Sequence, residues 1–150
     1  MLTRRHALVG TALALALGSA AVTTAAPASA TTRGYPAVFL DTQQEGGVPD
    51  TGAFGLFSYR IRGDQLCYTL IVRNLTTPAE AGHIHLGAAG VKGPVVIPLE
   101  VKRARTFTEV TCVTPSTPGI LDKLAANPSG FYVNVHDATY PGGEIRGQLR

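Results

Sequence analysis

The chain has no tryptophan, one methionine and two cysteines, and only 15% of its 150 residues are charged. Each shortage excludes something. With cysteine only at positions 67 and 112 there is no Cys-x-x-Cys pair, which removes the usual basis for a thiol redox role. No Gly-x-Ser-x-Gly elbow, phosphate loop or Cys–His nucleophile pair with a plausible partner occurs, so the common catalytic signatures are missing. The main apolar run, Ala7 to Leu17, is short of the roughly 20 residues a membrane span needs. Charge is not concentrated either. Lys102, Arg103 and Arg105 form the only local basic cluster and read as a solvated strand end.

What is present begins with an export signal. Arg4 and Arg5, the apolar run and Ala28-Ser29-Ala30 follow the order of a signal peptide over residues 1–30, cleaved after Ala30, with a working domain over 31–150. Thr3-Arg4-Arg5-His6-Ala7-Leu8 resembles a twin-arginine motif, and the general secretory route stays open beside it. Either route makes the protein secreted or extracellular, with no membrane span in the mature chain. The remaining domain carries 11 basic and 10 acidic residues, a balance that points to neither nucleic acid nor an anionic membrane as partner. In an oxidising compartment its even cysteine count favours a Cys67–Cys112 disulfide. In the chain-entropy picture such a link is worth up to about 4 kcal/mol.

Fifteen glycines and nine prolines lie between Thr31 and Arg150, too many for long helices, and alternation dominates between them. Strands are expected over Ala37 to Thr42, Ala53 to Arg62, a return strand carrying Leu66, Tyr68, Leu70 and Val72, Gly82 to Leu86, Val95 to Val101, Thr106 to Val113, Phe131 to His136 and Glu144 to Leu149. Gly63-Asp64 is a tight hairpin turn. Gln43 to Pro49 and Asn74 to Ala81 read as loops. Thr117-Pro118 reads as the cap and first turn of one short helix running to about Ala126. The expected fold is all-β: an antiparallel, immunoglobulin-like sandwich or a partly closed barrel, with that one helix.

Two separated segments are distinctive: Ala81-Gly82-His83-Ile84-His85-Leu86 followed by Gly93-Pro94-Val95-Val96, and Tyr132-Val133-Asn134-Val135-His136 leading into Pro141-Gly142-Gly143-Glu144-Ile145-Arg146-Gly147-Gln148-Leu149. Together they closely resemble the CHRD domain, the module repeated in chordin and also found alone in bacterial secreted proteins, over Tyr35 to Arg150. The resemblance implies an extracellular β-sandwich module. It does not carry growth-factor binding over, because this chain lacks chordin's cysteine-rich domains.

All three histidines of the 31–150 region lie in these motifs. His83 and His85 are two apart, so in a strand both emerge on one face at a spacing suited to one metal ion. With His136 they offer three imidazoles and an open position, a donor set for copper or zinc. Gly82-His83-Ile84-His85 is similar to the His-x-His strand of copper–zinc superoxide dismutases, but three histidines cannot rebuild those enzymes' two-metal site. The competing reading makes His83, His85, Asn134, Glu144 and Arg146 a hydrogen-bonded polar layer, with no cofactor, that pins the closing hairpin. Asp41, Glu45, Asp50 and Glu80 read as solvated loop carboxylates rather than a catalytic pair. The function expected is therefore a non-enzymatic binding or structural module with an unknown extracellular or envelope protein as partner, and the alternative is a metal-binding module.

Overall fold

The structure, a computed structural model, describes residues 33–150. The signal peptide expected over 1–30 lies outside the described residues. Nine strands form one antiparallel sheet: β1 (Arg33–Gly34), β2 (Val38–Asp41), β3 (Phe54–Arg62), β4 (Gln65–Arg73), β5 (Ala79–Leu86), β6 (Val95–Leu99), β7 (Phe107–Val113), β8 (Phe131–Asp137) and β9 (Ile145–Gln148). Its order is β6-β5-β8-β9-β2-β3-β4-β7, with β1 beside β2 on the same edge of β3.

The sheet curls until its two end strands share one core. Ile97 and Leu99 of β6 and Phe107 of β7 lie in the same buried cluster as Phe57, Leu70, Ile84 and Val133. The Tyr68 hydroxyl donates to the Glu100 carbonyl at 2.9 Å, tying β4 to the segment that links β6 to β7. Of the two architectures expected, the partly closed barrel is the one that forms, in a single continuous sheet. Closing it lets one set of inward side chains fill the interior, at about 1.5–3 kcal/mol for each large apolar residue fully buried.

The local determinants are mostly those expected from the sequence. Arg62 stands opposite Gln65 across the Gly63-Asp64 turn, and Leu66, Tyr68, Leu70 and Val72 are all buried. Cys67 and Cys112 face each other across β4 and β7 and are bonded. Replacing both with alanine is expected to lower stability by about 2–4 kcal/mol, read from urea unfolding of reduced and oxidised wild type beside the variant.

Three details differ. The helix α2 (Ile120–Ala126) starts beyond the expected Thr117-Pro118 cap, with Gly119 in a left-handed conformation and no side-chain cap. Its placement is tertiary: Ile120, Leu121 and Leu124 join the core. The expected loop at Gln43 to Pro49 opens instead with a second short helix, α1 (Thr42–Glu45), because the Asp41 carboxylate caps the Gln44 N–H at 2.8 Å. β5 also begins at Ala79, inside the segment expected to be loop.

Candidate metal centre

β8 is buried at all seven positions, although its sequence alternates between apolar and polar. Phe131, Val133 and Val135 face the core, and Tyr132, Asn134 and His136 face outward beneath a roof. The neighbours extend this outward face: His83 stands opposite Asn134, His85 opposite Tyr132, Arg146 opposite Asn134 and Gln148 opposite Tyr132. The roof consists of the segment after β5, the turn after β8, and α1. It presents carbonyl oxygens downward: Ala88 accepts from Arg146 at 2.9 Å, Gly87 from Gln148 at 2.9 Å, and Gln148 N–H donates to the Gln44 side chain at 3.1 Å.

Two further carbonyls set the histidines. His85 Nδ1 is 2.8 Å from the Gly93 carbonyl and His136 Nδ1 is 3.0 Å from that of Pro141. A carbonyl only accepts, so both Nδ1 atoms carry the proton and both Nε2 atoms are unprotonated acceptors. Gly93 can serve because a Cβ there would collide with the Leu86 carbonyl; only glycine lets that strand end approach.

His85 Nε2 is buried and has no hydrogen-bond partner. His136 Nε2 lies 3.0 Å from His83 Nδ1, and one nitrogen from each of the three rings lies within 4.8 Å of the others. Four-coordinate zinc with bonds of about 2.0–2.1 Å separates its ligand nitrogens by about 3.3 Å, so closing the three rings on one ion needs shifts of roughly an ångström. Histidine side chains oriented through Nδ1–H on backbone oxygen are the usual way a protein points Nε2 at a metal.

The site is largely dry. His85 and His136 are only 8% and 9% exposed, and His83 is half-buried at the rim. His85 stacks on Tyr132 at 4.7 Å, and the Arg146 guanidinium sits 3.3 Å from the centre of the same ring. Burial, with the neighbouring His136 and His85, pulls His83 down to about 4. Burial also lowers His136; the Pro141 hydrogen bond opposes it and His85 adds to it. Both rings therefore stay neutral, the form a metal requires.

Between about 6.5 and 4 an unfolded His83 binds a proton that the folded one does not. Metal-free protein should lose stability as pH falls through that window and lose no more from this group below it. Thermal unfolding from pH 7.5 to 4 checks this, with His83→Ala expected to flatten the slope.

The residues of the expected polar layer do not stay together. Glu144 leaves it: its carboxylate turns to one end of the barrel and accepts from Thr51 and from the N–H and hydroxyl of Thr76, without pairing with Arg146. Asp137 joins it there. Burial raises Asp137, but the N–H groups of Thr77 and Tyr140, the Thr77 hydroxyl and Glu144 outweigh that and hold it below the usual carboxylate range. Glu45, expected to be solvated, is instead only 6% exposed; burial raises it, against the pull of Arg146, Lys92 and Asn134. The Asp41 cap that starts α1 was the signal in the sequence that could have placed it. Gly143, at φ +123°, leaves room for this pair, since a Cβ would come within 2.8 Å of the Glu45 carboxyl and 2.9 Å of the Asn134 amide. Gly143→Val should therefore strain the turn and displace both groups, lowering the melting temperature; an unchanged value would contradict the assignment.

The CHRD domain profile matches residues 36–149. The chain belongs to the CHRD domain family. Neither the curated proteins nor the solved structures compared with this CHRD domain gave a match. The match spans the whole barrel from β2 to β9 and holds both histidine segments. Among the described residues no helix of this CHRD domain is long and apolar enough to cross a membrane. The disulfide is compatible with an extracellular location.

Proposed function

We propose that this CHRD domain is a secreted, non-enzymatic module that binds one copper or zinc ion through His83, His85 and His136. The observation that carries the reading is the buried, unpartnered His85 Nε2, in a cluster with the unprotonated Nε2 of His136 and the ring of His83. A purely structural histidine layer would satisfy that atom, because leaving a buried acceptor unmade costs about 1–3 kcal/mol. As a cation site the same arrangement is consistent: neutral imidazoles, orienting carbonyls and a low-dielectric surround. No set of groups poised for acid, base or nucleophilic work accompanies it among the described residues, which favours binding or buffering over turnover.

The test is calorimetric titration of the purified protein with zinc and with copper, beside His83→Ala. One ion per chain, with binding lost or strongly weakened in the variant, supports the reading. A folded wild type that takes up neither ion would sink it and return the module to partner binding alone.

A further inference from the structure

Resting on that metal reading, we propose that the side-chain oxygen of Asn134 is the fourth ligand, and that Glu45 is the positioning residue that turns it toward the ion. Asn134 Oδ1 lies 2.9 Å from His136 Nε2. Because His136 Nδ1–H is committed to Pro141, that contact sets two acceptors against each other at hydrogen-bond distance. Rotating the amide by half a turn would cure the conflict, but it would turn Oδ1 toward the Glu45 carboxyl, on whose charged form Asn134 acts favourably as it stands. Its Nδ2 lies within the space that a Cβ on Gly143 would share with Glu45 Oε2. Only the nitrogen of the amide can donate to a carboxyl, so Oδ1 faces the histidines.

Asn134 is 1% exposed and held in register between His83 and Arg146, so the oxygen cannot swing away to water. A cation placed among His83, His85, His136 and Asn134 converts the acceptor–acceptor contact into two bonds. It also takes up the His85 lone pair that has no other partner. Three imidazoles and an amide oxygen favour divalent zinc or copper(II) over copper(I), which prefers sulfur donors. The Glu45 carboxyl, itself only 6% exposed and with Oε2 unpartnered, lies on the Nδ2 side of the amide and so is the group that holds its orientation.

The experiment is pulsed electron paramagnetic resonance of the copper(II)-loaded protein in deuterated water, on wild type, Asn134→Ala and Glu45→Gln, with affinities from competition titration. Wild type should show three imidazole nitrogens and no directly bound equatorial water. Asn134→Ala should gain that water and bind about 10–100-fold more weakly, and Glu45→Gln should weaken binding by about tenfold while keeping the fold. Equatorial water in wild type, or unchanged affinity in Asn134→Ala, overturns the assignment while leaving the histidine site standing. Should Asn134→Ala not fold, the wild-type water signal decides by itself. No copper bound to wild type overturns both this inference and the metal reading beneath it.

Discussion

Glu144→Ala is expected to lower the stability of the metal-free protein by about 3–5 kcal/mol, the sum of several buried donors left without an acceptor. Glu144 is fully buried, yet its carboxylate reaches three polar groups on two separate connections. The hydroxyls of Thr51 and Thr76 each donate at 2.7 Å, and the Thr76 N–H donates at 3.0 and 3.2 Å. Beside it Asp137 accepts from the Thr77 N–H at 2.7 Å, the Thr77 hydroxyl at 2.9 Å and the Tyr140 N–H at 2.7 Å. The two carboxyl groups thus hold the connection between β4 and β5 and the segment before β3 against the closing hairpin. Truncation leaves those donors facing a dry gap. Glu144→Gln keeps one acceptor oxygen and should cost less, about 1–2 kcal/mol. Urea unfolding of both variants measures this, and a loss below about 1 kcal/mol for the alanine variant would show that the loops are held elsewhere. Asp137 adds a pH dependence of its own: because it is held below its ordinary range, its stabilisation is present above that range and disappears as pH falls through the depressed value.

His85→Phe should separate binding from folding. The phenyl ring keeps the stack on Tyr132, now 4.7 Å from the imidazole, and removes the buried lone pair that lacks a partner. It also gives up the bond to the Gly93 carbonyl. These two changes oppose each other, each on the order of 1 kcal/mol, so the metal-free stability should stay within about 1 kcal/mol of wild type. The response to metal should be lost altogether. Wild type at a free ion concentration 100 times its dissociation constant gains about 2.7 kcal/mol, and the variant should gain none. Thermal unfolding with and without zinc reads both quantities from one pair of samples. A variant that is stabilised by zinc as wild type is would remove His85 from the ligand set.

The composition and patterning of the chain suffice for the all-β class, most of the strands, the Gly63-Asp64 hairpin and the cysteine pair. These follow from local physics: apolar alternation marks a strand with one face in a core, and two cysteines leave one pairing. The spacing His83-x-His85 likewise puts two imidazoles on one face before any fold is known. The family motifs add the third histidine, since His136 lies in the second of the two segments.

Only the closed sheet decides the rest. Whether an outward strand face is wet or dry depends on what the chain lays over it. The roof over β5, β8 and β9 comes from segments distant in sequence, so the sequence of β8 could indicate one buried face and not two. The same roof supplies the Gly93 and Pro141 carbonyls that choose the histidine tautomers, and it buries Glu45, which by its local sequence is an acidic residue in a polar stretch. Glu144 shows the converse: by alternation it belongs beside Arg146, but the turn at Gly143 sends it to the end of the barrel. Periodicity reports which side of a strand a residue leaves from; hydrogen-bond partners and dryness are set by the elements that close over it, and those are non-local.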